Sequence, residues 1–339
     1  MERNQKLSQK HNAVFIGNGA MSCAMANCLS KNFSSICIWG NNEINVKECQ
    51  SKHENNLYLP GIKLSENITF TSNLDLLTNN KISIIFCGVP TQYIRKTLSK
   101  LNKPKANSII ISFAKGLEIG TLNRPSQIIQ DVWPDACVMA LSGPAQAEEL
   151  AKGKPFSIVL ASNHEKEAKK IQELINTKTM RTYLSNDLIG VEIAGALKNV
   201  ISITAGINDG LQYGDNAKAS IMTRGLAEIS RLGEKLGGHK ETFSGLAGIG
   251  DLITSCISPF GRNYSLGKLL GEGQNYEDIM KNTIKVCEGA FTVKVLHEYS
   301  KELNVELPIS NEVYSVLYEN KSPQEGVQSL MKRTLKSEF

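Results

Sequence analysis

Aromatic residues are scarce in this chain, 6% of 339 residues with only two tryptophans, and no dense block of Lys and Arg is present. The missing basic block argues against a nucleic-acid partner. A net charge of +5 is mild and suits a small phosphate-bearing ligand. The eight cysteines (Cys23, Cys28, Cys37, Cys49, Cys87, Cys137, Cys256 and Cys287) are scattered and form no C-x-x-C pair. This spacing argues for reduced thiols and against a disulfide frame or a zinc site, so no metal is expected. No apolar stretch approaches the roughly 18 residues a membrane helix requires. The first dozen residues are polar and lack the apolar centre of a secretory signal. A cytoplasmic, water-soluble protein with no integral membrane association is the expectation.

What the chain does contain is an ordinary globular composition, 41% hydrophobic and 21% charged. Its length exceeds what one core usually serves and predicts two domains. Short apolar runs at Ala13–Ile16, Ile36–Trp39, Ile82–Cys87, Ser108–Phe113, Cys137–Leu141 and Phe156–Ala161 are expected as buried strands. Amphipathic segments such as Thr91–Leu101 and Arg124–Val132 lie between them. Strands alternating with helices predict an α/β fold with a doubly wound, mostly parallel sheet. From about Asp187 the pattern becomes helical throughout: Leu188–Gly206, Ala217–Leu236, Asn263–Leu270, Thr292–Leu303, Asn311–Tyr318 and Ser322–Lys332. The expected division is a dinucleotide-binding domain over 1–188 and an all-helical substrate domain over 189–339.

Four glycine-bearing turns follow expected strands. Gly17-Asn18-Gly19-Ala20-Met21-Ser22 separates the first strand from a helix-forming stretch. Such a turn lets backbone N–H groups approach a pyrophosphate, aided by the helix dipole. By itself it also suits a turn that serves only topology. The end of the second strand normally carries an acid for a ribose hydroxyl or an arginine for a 2′-phosphate. Here it carries Gly40-Asn41-Asn42-Glu43, so neither NAD nor NADP is singled out. Ala114-Lys115-Gly116 and Gly143-Pro144-Ala145-Gln146-Ala147 end later strands, where open α/β sheets bind ligands.

In the helical half, Lys198 sits in Gly195-Ala196-Leu197-Lys198-Asn199 with no acid at helical spacing. Such a lysine either snorkels to solvent or loses its proton more readily. Gly245-Leu246-Ala247-Gly248-Ile249-Gly250-Asp251-Leu252 ends on an acid able to accept from an ammonium. Gly261-Arg262-Asn263 opens a helix with a guanidinium suited to clamp a phosphate. A surface ion pair is the plainer reading of Arg262.

Together these segments resemble the bacterial type of NAD(P)-dependent glycerol-3-phosphate dehydrogenase. The resemblance continues through Asn56–Pro60, Val89-Pro90, Asp187–Glu192, Gly214–Asn216, Arg224–Glu228 and Glu288-Gly289. It implies a Rossmann domain followed by a helical one, acting on dihydroxyacetone phosphate with NADH or NADPH. Lys198 is then the general acid, assisted by Lys115. Asp251 and Asn199 orient Lys198 or the substrate. Arg262 and Asn263 hold the phosphate, with Gly143, Ala145 and Gly261 beside the substrate. The cofactor contacts implied are Gly17, Gly19, Ala20, Met21, Asn41, Lys115, Ala147, Arg262, Val286 and Glu288. The implied role is supply of glycerol 3-phosphate for glycerophospholipid synthesis, with a homodimer left open.

The chain departs from the family pattern at Ala20-Met21, Ser22, Ala145 and Gly261, each of which removes a ring, a hydroxyl or a glycine near the ligands. Two other readings compete. One is a related hydroxyacid dehydrogenase, which needs a carboxylate site in place of Gly261-Arg262-Asn263. The other is a non-catalytic nucleotide sensor, against which stand Lys115, Lys198, Asp251 and Arg262 together.

Overall fold

The computed structural model describes residues 11–74, 84–283, 286–335 and 337–338. Its contacts divide the chain into two compact units. One comprises the chain up to Ala114 together with Pro125–Leu188, and the other Lys115–Arg124 with the chain from Ile189 onward.

The first unit is an eight-stranded sheet flanked by helices. Its strands are β1 (His11–Ile16), β2 (Phe33–Trp39), β3 (Ile68–Thr71), β4 (Ile84–Cys87), β5 (Ile109–Ser112), β6 (Cys137–Ser142), β7 (Phe156–Ala161) and β8 (Met180–Ser185). The expected strand from Ile82 begins at Ile84, and Ile82 itself lies outside the described residues. The helices are α1 (Ala20–Leu29), α2 (Glu43–Lys52), α3 (Thr91–Leu98), α4 (Pro125–Val132), α5 (Ala147–Ala151) and α6 (Glu165–Ile175). The spatial order is β3-β2-β1-β4-β5-β6-β7-β8, and only the β6–β7 pairing is antiparallel.

Both faces of the central strands are covered, which is why they are continuous apolar runs rather than alternating ones. In β1, Ala13 and Phe15 join the core on one face, and Val14 and Ile16 join the core on the other. The order reverses between β1 and β4, and there the crevice at the strand ends is lined by Gly17–Gly19 and Gly88–Pro90. Two strands escape the apolar-run pattern. β3 (ITFT) and β8 (MRTYLS) are the two edges, and each alternates buried with exposed residues. An edge strand needs one apolar face at most, so its signal is weaker.

The second unit is helical: α7 (Leu188–Gly210), α8 (Asp215–Lys235), α9 (Lys240–Phe243), α10 (Asp251–Ile257), α11 (Arg262–Gly271), α12 (Tyr276–Lys281), α13 (Glu288–Glu298), α14 (Ser300–Leu303), α15 (Pro308–Tyr318) and α16 (Pro323–Met331). Its axis is α7, whose Leu197 and Ile201 join one apolar cluster while Val200, Ile203 and Ile207 join another. By length and hydropathy α7 does meet the measure of a membrane-spanning helix, contrary to expectation. The reason lies in the packing: 94% of its most apolar window is buried inside the protein, so its apolar circumference is matched by neighbouring helices.

One neighbour approaches closely. A Cβ added at Gly267 of α11 would collide with the carbonyl oxygen of Ile203, and one at Gly206 of α7 with that of Tyr264. The two backbones therefore touch through paired glycines. Overpacking typically costs about 1–3 kcal/mol, and here backbone must move. Gly267→Ala is expected to lower the unfolding free energy by an amount in that range, read as a lower urea midpoint at an unchanged denaturant slope. A midpoint equal to wild type would contradict the contact.

Candidate active site

In the first unit the functional residues gather at the C-terminal ends of strands. Gly17 has φ +104, a conformation that side chains with a Cβ rarely adopt. Gly19 is different: its φ is −66 and nothing lies within 4 Å of where its Cβ would be. Neither backbone strain nor a neighbour in the chain requires glycine there. The open space there would admit a close approach from outside, and α1 starts directly after it with no side chain capping its N–H groups. The turn therefore fits a dinucleotide pyrophosphate. Ala20 and Met21 open α1, half-buried. Ser22, in place of the third glycine, is fully buried, and it is accommodated because Gly88 opposite has no side chain; a Cβ there would strike Ser22 Oγ and the Phe113 ring.

Asn41, beyond β2, is exposed, whereas Asn42 accepts from the N–H of Asn45 and caps α2. Glu43 pairs with Lys47 in solvent at 2.7 Å. On the far side of the turn, Gly143 has φ +149 after β6, with Ala145 half-buried and Ala147 buried at the start of α5.

In the second unit one carboxylate organises the charged residues. Asp251 accepts from Lys198 Nζ through Oδ1 at 2.7 Å and from Lys115 Nζ through Oδ2 at 2.5 Å. Lys198 also donates to Ser255 Oγ at 2.6 Å, and the Ser255 carbonyl accepts from Ser202 Oγ at 2.8 Å. Asn199 Nδ2 donates to the Lys115 carbonyl at 3.2 Å. The acid absent from the helical neighbourhood of Lys198 thus arrives from 53 residues away. It does so because Ser244–Gly250 carries glycines into a π-helical turn that leads directly into α10; at Gly248 a Cβ would collide with the Phe243 backbone.

Lys198 is 8% exposed and Asp251 2%. Burial is the main influence on the Lys198 ammonium and pulls its pKa down to about 8, with the Lys115 cation acting in the same direction. Asp251 opposes both and keeps the proton available. Two ammonium groups share one carboxylate, so the cluster carries a surplus positive charge when both are protonated.

Beside it stand the residues expected to hold an anion. Gly261 precedes α11 in extended conformation, and Arg262 is exposed at the helix start with Nη1 donating to the Val286 carbonyl at 3.1 Å. Asn263 Oδ1 accepts from the N–H of Gly289 at 3.0 Å, which fixes the start of α13 next to Glu288. A Cβ at Gly289 would come within 2.7 Å of the Asn199 carbonyl, so this group and the lysine cluster are contiguous. Within the second unit Lys115, Lys198, Asn199, Asp251, Arg262, Asn263, Val286 and Glu288 are brought together. Gly17, Gly19, Ala20, Met21, Asn41, Gly143, Ala145 and Ala147 all belong to the first unit. No group of three or more metal-ligating side chains occurs among the described residues.

The glycine turn, the dinucleotide crevice and the paired lysines lead to comparison with known proteins. Residues 12–168 match the family described as NAD-dependent glycerol-3-phosphate dehydrogenase N-terminus, and residues 187–328 match the C-terminus of the same family. The chain belongs to this family. A Staphylococcus aureus protein named glycerol-3-phosphate dehydrogenase (NAD(P)+) is 43% identical over 326 residues, covering 95% of this chain and 98% of its own length. The crystal structure of glycerol-3-phosphate dehydrogenase from Coxiella burnetii matches with a TM-score of 0.90 at 30% identity, covering 96% of this chain and 99% of that one. D-mandelate dehydrogenase is 13% identical with a TM-score of 0.62, a likeness of fold alone. As a glycerol-3-phosphate dehydrogenase the chain is an NAD(P)-dependent oxidoreductase whose substrate is a small phosphate.

Sequence reasoning passed over Ser255 and Ser202. A serine one helical turn after an acid is a common pattern, and only the tertiary approach of α10 to α7 singles it out. It also passed over the buried amides Asn18, Asn45 and Asn55. Asn18 Nδ2 donates to Asn45 Oδ1 at 2.7 Å, and Asn55 Nδ2 donates to the Asn18 carbonyl at 2.7 Å, bracing the glycine turn from below.

The opposing influences on Lys198 have a measurable consequence. Asp251→Asn removes the nearest anion while burial and Lys115 remain, so the Lys198 pKa should fall below about 8. Titration of 13Cε-labelled lysine by NMR reads this directly. An unchanged or raised value would refute the bridging role of Asp251.

Proposed function

We propose that the chain reduces dihydroxyacetone phosphate to glycerol 3-phosphate, reversibly, with Lys198 delivering the proton to the carbonyl oxygen. The observation that carries this reading is a buried lysine poised near pH 8 between an acid and a second cation. Bound NADH or NADPH supplies the hydride. The Gly17–Gly19 turn and the start of α1 would hold its pyrophosphate. As negative charge develops on the substrate oxygen, Lys198 donates its proton and Lys115 offers fixed positive charge. Asp251 holds both ammonium groups in place. Ser255, which accepts from the charged amine, turns its hydroxyl to donate to the neutral one. Asn263 uses its carbonyl oxygen on Gly289, leaving its NH₂ for the substrate phosphate alongside the Arg262 guanidinium. In the oxidation direction Lys198 takes the proton back.

Asn41 offers an amide where an acid or an arginine would discriminate between cofactors, which supports acceptance of both. The same reading, resting on the family resemblance, extends to a cytoplasmic enzyme that feeds glycerophospholipid synthesis. Any self-association would be of like chains.

Lys198→Met removes the proton donor and touches no pyrophosphate contact. It should lower kcat by about 10²–10⁴-fold while NADH affinity stays near wild type. A folded variant that kept more than about a tenth of wild-type turnover would end the general-acid assignment. For the phosphate, Arg262→Ala should reduce selectivity for dihydroxyacetone phosphate over dihydroxyacetone by about tenfold or more, as a charge-assisted bond is worth about 1.5–3 kcal/mol. Equal losses on both substrates would assign Arg262 to the cofactor or to folding.

A further inference from the structure

Lys115 does not belong to a secondary-structure element, yet it must hold an ammonium at hydrogen-bond distance from Asp251. It opens the segment Lys115–Arg124, which leaves the sheet after β5, packs with the helical unit, and returns to the sheet unit at α4. Leu117 at its start is fully buried in the helical core. The segment is braced internally: Glu118 N–H donates to the Asn123 carbonyl at 2.9 Å, and Thr121 Oγ1 donates to Glu118 Oε2 at 2.6 Å. Its first residue is tied to α7 by Asn199. Its last residue, Arg124, is ion-paired through Nη1 to Glu192 of the same helix. Glu192 lies about two turns before Asn199 on the same face of α7. The Glu192 side chain is 2% exposed and that of Arg124 13%, so this is a buried pair rather than a surface one.

We propose that the Arg124–Glu192 ion pair is the second fastening of this strap, and that Arg124 and Glu192 are positioning residues holding Lys115 against Asp251 for the reaction. With Asn199 and Glu192 both on α7, the strap is stretched along one rigid face, and Lys115 has a fixed origin. No contact with the reacting atoms is assigned to either residue. They act through Lys115, and so through the charge balance around Lys198. The charged and titratable groups facing Lys198 are Lys115 from the strap and Asp251 from α10, with the Cys256 thiol nearby on α10. Lys115 lowers the proton affinity of Lys198, so a displaced Lys115 must raise it.

The inference rests on Lys198 being the proton donor. Steady-state kinetics of dihydroxyacetone phosphate reduction between pH 6 and 10 test it in full-length Arg124→Met, Arg124→Lys and Glu192→Gln proteins. Arg124→Met is expected to lower kcat about tenfold or more, since small misplacements of catalytic groups have effects of that size. The basic limb of its pH profile should move upward by about half a pH unit or more, the direction that loss of a neighbouring cation dictates. Arg124→Lys, which keeps the cation, should recover much of the rate and the wild-type limb. Where Arg124→Met does not fold, Glu192→Gln keeps the side chain's shape and carries the same two readouts. A lower kcat with an unmoved limb would mean general destabilisation and would overturn the proposal, as would a kcat within twofold of wild type. Failure of the underlying reading looks different: Lys198→Met would then remain active, whereas failure of the strap alone leaves Lys198→Met inactive and the Arg124 and Glu192 variants either near wild-type turnover or slowed with an unmoved limb.

Discussion

The Asp251 carboxylate, with an ammonium on each oxygen, is the constraint around which the helical unit is arranged. A buried lysine is unfavourable in proportion to the water it loses, and removing its partner would leave an uncompensated charge. One carboxylate shared by two lysines supplies partial compensation. It is enough to keep Lys198 protonated near neutral pH and too little to restore an ordinary lysine. The glycines of Ser244–Gly250 bring Asp251 against α7, the strap brings Lys115, and Ser255 accepts a second hydrogen bond from Lys198. Each of these features makes sense as support for one incompletely neutralised amine.

In the proposed function the sheet unit meets a different requirement, close approach of backbone to a large anion. Gly17 satisfies it by conformation and Gly19 by its missing side chain. The buried amide chain from Asn55 through Asn18 to Asn45 keeps the turn from relaxing, and Asn45 in turn donates its backbone N–H to the Asn42 cap of α2. Bonding to one another offsets the cost of burying these amides. Ser22 shows how the turn accepts a departure from the three-glycine pattern: the space needed for its hydroxyl is supplied by Gly88 on the neighbouring strand end.

Much of this was legible in the sequence. The central strands and the long helices declared themselves because burial on both faces and an apolar stripe leave strong periodic signals. The edge strands β3 and β8 did not, since half of each faces solvent. The apolar length of α7 was underestimated because Glu192, Lys198 and Asp209 interrupt it in sequence without interrupting its burial as a core helix. At the site, residue types and spacing marked Lys198, Lys115, Asp251 and Arg262, and the family resemblance gave them roles. Ser255, Glu192 and Arg124 carried no local signal. Their meaning is a matter of which segments meet, and Arg124 stands 68 residues from its partner.

The central claim is that one amine, with its pKa near 8, passes the proton in both directions. Its most direct test is the pH dependence of kcat/KM measured separately for ketone reduction and alcohol oxidation. The free enzyme's essential group sets both profiles. Reduction needs the protonated lysine and should decline as pH rises through about 8, while oxidation needs the neutral amine and should rise through the same value. Profiles that were flat across this range, or that moved in the same direction for both reactions, would contradict the account.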